Sequence, residues 1–148
     1  MKIIFLDVDG VLNNLSWARR MFDEGVNVFA KDMLEYRAIE LLKRIIDTTG
    51  ADVVITLTWR MCAVQMTHLL DQLACFDIHP IAVTPILHTD RGDEISAWMQ
   101  HYDVESYVIL DDDSDMNEHM DHLVQTSFEH GLQHEHVERA IEILNGVN

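Results

Sequence analysis

Short, nearly unbroken apolar runs recur along this chain, each followed by a longer stretch with helical spacing. That alternation restricts the fold more than any other feature. Residues 2–6 (KIIFL) form a run of the kind found in strands covered on both faces. Leu34, Ala38, Leu41, Leu42, Ile45 and Ile46 then fall at helical spacing, with Gly50 as a stop signal. Residues 52–57 (DVVITL) predict a second strand. Residues 60–74 predict a helix turning Val64, Leu69, Leu70 and Leu73 inward. Residues 80–83 predict a third strand, and 92–102 a helix with Ile95, Trp98 and Met99 on one side. Residues 106–110 (SYVIL) and 123–126 predict two more strands, and 134–144 a last helix burying Val137, Ala140, Ile141 and Leu144. Strand alternating with helix predicts an α/β fold around a mainly parallel five-stranded sheet with right-handed crossovers. In such sheets the functional groups gather beyond the carboxyl ends of the strands.

Those ends are where the acids cluster. The first run stops at Asp7-Val8-Asp9-Gly10-Val11-Leu12, two carboxylates two residues apart directly after a buried strand. Read alone, the segment is either a solvated turn or a site. The second ends in Thr56-Leu57-Thr58-Trp59-Arg60 ahead of a helix, where a hydroxyl and backbone N–H groups either cap the helix or meet an anion. The fourth ends in Asp111-Asp112-Asp113-Ser114-Asp115. Four acids in five residues repel one another without a cation, and hard oxygen donors suit Mg²⁺.

Taken in order, Asp7-Val8-Asp9-Gly10-Val11-Leu12, Thr56, Arg91 and Asp111-Asp112 resemble the four motifs of the haloacid dehalogenase (HAD) superfamily of phosphohydrolases. Thr58-Trp59-Arg60, Arg91-Gly92-Asp93-Glu94-Ile95 and Thr126…Gly131-Leu132 resemble a small branch of it associated with RNA repair proteins. The resemblance implies a Rossmann-like three-layer sandwich with little or no cap. It implies a Mg²⁺-dependent phosphatase with Asp7 as nucleophile and Asp9 as proton donor and then base. Thr56 and Arg91 would hold the phosphoryl oxygens. Asp112, Asp7 and the backbone carbonyl of Asp9 would bind the metal, with Asp111 beside them. Superfamily members more often carry Lys where Arg91 stands; Arg is a planar, permanently charged substitute. The second acid, Asp9, favours phosphate-ester hydrolysis over dehalogenation.

With 148 residues and 48% apolar content, the chain predicts one domain, residues 1–148, with a large enough core. Residues 13–32 remain for a flap or one short helix over the site. In that flap Trp17 offers a stacking surface, and Arg19 and Arg20, together with Thr58 and Arg60, are candidate substrate contacts. The net charge of −16 disfavours tight non-specific nucleic-acid binding. It leaves room for a phosphorylated strand end, a nucleotide or a small metabolite. The apolar start ends at Asp7, too early for a secretory signal, and no run is long enough to cross a membrane. Cys62 and Cys75 read as inert core thiols, and the eight methionines as core filling. A cytoplasmic protein is the expectation. A phosphoacceptor or silent binding module of the same fold is the competing class. Against a receiver-like module, the acceptor here ends the first strand and no Lys follows Lys43.

Overall fold

The computed structural model describes residues 1–56 and 62–147. Five strands form one sheet: β1 (Lys2–Leu6), β2 (Asp52–Ile55), β3 (Ala82–Val83), β4 (Ser106–Asp111) and β5 (Leu123–Gln125). Their order is β3-β2-β1-β4-β5, and every pairing is parallel. Among the described residues, five α-helices flank it: α1 (Leu15–Asp23), α2 (Tyr36–Thr49), α3 (Ala63–Ala74), α4 (Arg91–Met99) and α5 (His134–Leu144). The fold is the expected Rossmann-like α/β sandwich.

The KIIFL run is continuous because β1 is central and covered on both faces. Ile4 and Leu6 enter a core shared with α2, α3 and α5, whereas Ile3 and Phe5 enter a second core with Ile95 and Trp98 of α4. Phe5 meets Trp98 edge-on at 5.5 Å between ring centroids, a favoured aromatic geometry. The two edge strands have only two and three residues, which limits unpaired backbone.

Several expectations need correction. The third strand shrinks from 80–83 to Ala82–Val83 at the edge, where Pro80 has no N–H to offer. Helix α3 buries Leu69 and Leu73 but leaves Val64 64% and Leu70 40% exposed, so only a narrow apolar stripe of it enters the core. Cys62 and Cys75 are not core thiols: they cap the two ends of α3 and are exposed. Among the described methionines only Met116 is fully buried. The α4 helix ends at Met99 rather than 102. The segment expected as a flap contains the nine-residue α1, with Asn14 as N-cap accepting from the Trp17 N–H. No described helix is long and apolar enough to cross a membrane.

Candidate active site

Strand order reverses between β1 and β4, since the chain runs outward through β2 and β3 and then returns to β1's other side. A crevice at that switch point is the place for a ligand. The register puts like residues there. Leu6 pairs with Leu110, Asp7 N–H donates to Leu110 O at 3.0 Å, and Thr56 N–H donates to Leu6 O at 2.9 Å. Asp7, Thr56 and Asp111 therefore emerge side by side from three adjacent strands, and all three are buried.

Asp7, Asp111 and Asp112 each offer a carboxylate oxygen, and these oxygens lie within 4.8 Å of one another. Burial pushes the Asp7 carboxyl up to about 6, against the pull of the Arg91 guanidinium. Asp111 rises to about 8, through burial first and then repulsion from Asp7. Asp112 is raised too, again chiefly by burial. One cation answers part of this. Arg91, the first residue of α4, places Nη2 4.0 Å from Asp7 Oδ1 and Nε 3.7 Å from Asp111 Oδ2. Among the described residues, Asp111 Oδ2 and Arg91 Nη1 are buried without a hydrogen-bond partner.

Two glycines let these parts approach. Gly10 has φ +80°, and a Cβ there would stand 2.6 Å from Asp112 Cγ. A Cβ on Gly92 would stand 2.4 Å from the Met116 carbonyl oxygen, so only glycine lets the segment after β4 pack on the start of α4. That segment also holds Arg91: its backbone N–H donates to Asp115 Oδ2 at 3.1 Å, and Gly92 N–H to Asp115 O at 3.0 Å. Asp115 is thus a helix-terminus partner of α4.

Asp9 stands outside the three-carboxylate cluster and is half-buried. Its Oδ1 accepts from Asn13 Nδ2 at 2.8 Å, while Asn13 Oδ1 accepts from the Gly10 N–H at 3.0 Å. Asn13 is 1% exposed and fixes both the Asp9 carboxylate and the turn beneath it. Sequence reasoning missed Asn13, because nothing in its sequence context distinguishes it from a solvated turn amide. Thr126 stands out in the sequence only through the resemblance. Its Oγ1 donates to Gly10 O at 2.6 Å and its N–H to Asp111 O at 3.0 Å, joining the loops after β1 and β4.

Of the remaining candidates, Arg19 pairs with Glu129 at 2.6 Å on the outside of α1, and Arg20 is exposed. Thr58 and Arg60 lie outside the described residues. The buried His119 has both ring nitrogens engaged, by Ser96 Oγ at 2.7 Å and the Tyr107 hydroxyl at 2.6 Å, so it serves packing.

A parallel sheet whose switch point carries a carboxylate after β1, a hydroxyl after β2, a cation at a helix start and two acids after β4 defines a HAD-type domain. Over residues 3–137 the sequence matches the family described as the HAD domain in Swiss Army Knife RNA repair proteins, and the chain belongs to that family. Neither a curated protein nor a solved structure matches the chain. Family membership supports a phosphohydrolase at the level of the superfamily.

Proposed function

We propose that the protein is a Mg²⁺-dependent phosphomonoesterase acting through an aspartyl-phosphate on Asp7. The observation that carries this reading is the buried Asp7 carboxylate, held between the Arg91 guanidinium and the paired acids Asp111 and Asp112. The donor set fits the ion: three hard carboxylate oxygens converge, and among the described residues one buried oxygen of Asp111 has no hydrogen-bond partner and no His or Cys joins the cluster. Asp7, Asp111 and Asp112 would hold Mg²⁺, which when bound lessens the repulsion between a carboxylate and phosphoryl oxygens.

The rest is work for the chain's own groups. An Asp7 oxygen attacks phosphorus, and the bond from phosphorus to the ester oxygen breaks. Asp9, oriented by Asn13, gives its proton to the departing alcohol. The same carboxylate then takes a proton from water, whose oxygen attacks the phosphorus of the aspartyl-phosphate and frees Asp7. Arg91 faces the developing negative charge from a position already fixed by α4 and Asp115. Thr56, beside Asp7, supports a transferring oxygen.

Within this class a nucleotide or nucleic-acid-end phosphate is favoured over a small metabolite. The family's description mentions RNA repair proteins, and between Asn13 and α2 the only helix is the short α1, which leaves little chain for a cap. The test is turnover of para-nitrophenyl phosphate with Mg²⁺ and its loss on chelation, followed by a length series of oligonucleotides bearing a terminal phosphate. Absence of Mg²⁺-dependent turnover on every ester rejects the reading. A sugar phosphate that outruns every nucleotide and oligonucleotide assigns the site to small metabolites.

A further inference from the structure

Helix α1 has a strongly amphipathic sequence, yet none of its residues is buried. Along its Trp17–Met21 side runs a largely apolar groove of about 360 Å³, lined by Trp17, Met21, Met33, Leu34, Tyr36 and the opposite charges Glu35 and Arg37. We propose that this groove seats the base of the nucleotide whose phosphate enters the acid cluster. The proposal rests on the phosphomonoesterase reading and names the part of the substrate beyond the phosphate.

Three observations point to a planar aromatic occupant. First, the walls offer an indole, a phenol and a guanidinium, groups that stack on the face of a base, together with methionines that adapt to its shape. Tyr36 is 64% exposed, but its ring is braced edge-on against Phe76 at 5.6 Å, so a stacking surface is already ordered. Second, the groove is tied to the reacting groups. Asn14 Oδ1 accepts from the Trp17 N–H at 2.8 Å, and Asn14 Nδ2 donates to Glu35, the residue before Tyr36. The preceding residue, Asn13, holds Asp9. Consecutive asparagines thus fix the groove and the proton donor relative to each other. Third, the charge is right. Residues 13–37 hold four of the ten basic residues and four of the 26 acids, a neutral stretch in a chain of net charge −16. A phosphorylated ligand approaching along this stretch meets less repulsion than elsewhere.

The experiment compares adenosine 5′-monophosphate with ribose 5-phosphate, which lacks the base. Equilibrium dialysis without metal reads binding, and kcat/KM with Mg²⁺ reads catalysis. The expected result is a preference of at least about tenfold for the base-bearing ester, the size of one base–aromatic stack. Trp17→Ala should cut that preference to about threefold or less, Tyr36→Ala should reduce it in part, and Trp17→Phe should keep most of it. Melting curves on each variant confirm folding, and these half-buried or exposed positions tolerate the changes. Equal binding of the two esters overturns the proposal, as does a preference that survives Trp17→Ala. A concentration-dependent dimer that Trp17→Ala dissociates also overturns it, by giving the groove to a second copy. If neither ester is turned over while the dialysis preference holds, the phosphatase reading fails and the base subsite stands.

Discussion

Replacing Asp111 with Asn is expected to stabilise the protein without metal and to weaken its response to Mg²⁺. The Asp111 carboxyl is raised from 3.8 to about 8 by burial and by Asp7. At about 1.4 kcal/mol per pKa unit, the ionised group costs on the order of 5 kcal/mol at pH 8. An asparagine keeps the acceptor that Oδ1 presents to the Asp113 N–H at 3.0 Å, and removes one of the clustered charges. Allowing about half the gain for an amide set beside the Arg91 guanidinium leaves about 2–3 kcal/mol, or roughly 5–10 °C in Tm for a domain of this size. The sign with pH follows from linkage. A carboxyl whose folded pKa exceeds its unfolded value binds its proton more tightly when folded. Its contribution to stability is therefore full below about pH 4 and lost as pH rises through about 8. The gap between variant and wild type should widen over that window. Mg²⁺ at 100 times its dissociation constant adds about 2.7 kcal/mol to the wild type and less to the variant, narrowing or reversing the order. The assay is thermal denaturation from pH 5 to 8, in chelator and in Mg²⁺. A variant no more stable than wild type at pH 8 in chelator would refute the reasoning, and so would a gap independent of pH.

Asp7→Asn should abolish Mg²⁺-dependent turnover, because an amide forms no acyl-phosphate; steady-state assay of para-nitrophenyl phosphate decides it. Asp9→Asn should lower kcat by at least about a hundredfold, the usual scale of general acid–base assistance, while Mg²⁺ still raises Tm. Asn13→Ala should lower kcat by about tenfold or more by releasing the Asp9 carboxylate, again with the Mg²⁺ effect on Tm retained. Gly92→Ala should cost about 1–3 kcal/mol, because its Cβ meets backbone rather than a movable side chain, and chemical denaturation measures it.

The site was legible where a buried strand ends abruptly on a polar group. KIIFL followed by Asp7, DVVI followed by Thr56, and SYVIL followed by Asp111 each mark a place where an apolar segment yields to a group that needs a partner. Arg91 was legible only through its order in the resemblance, since a lone arginine at a helix start has no distinguishing pattern. Asn13 was not legible, because an amide in a turn reads the same whether it faces water or a carboxylate 2.8 Å away. The inward face of α3 failed at Val64 and Leu70 because helical spacing gives the direction of an apolar stripe without its width. Cys62 and Cys75 misled for a related reason: they stand at the ends of α3, where apolar neighbours in sequence are not neighbours in the core.

The central place of β1 also has a consequence for synthesis. Of the five strands in this sheet it is made first, and its two neighbours, β2 and β4, are made long apart. At about 5–20 residues per second, the interval between completing β2 and completing β4 is about 3–11 s. Through that time one side of Ile3-Ile4-Phe5-Leu6 has no strand to pair with, and an apolar edge of that kind invites pairing with another nascent chain. Ribosome crowding and the availability of a holdase should therefore affect the yield of this protein at fixed stability. Since Asp111 ends β4, the carboxylates become neighbours only when that edge closes, so a growing chain carries neither the pocket nor the repulsion inside it until then.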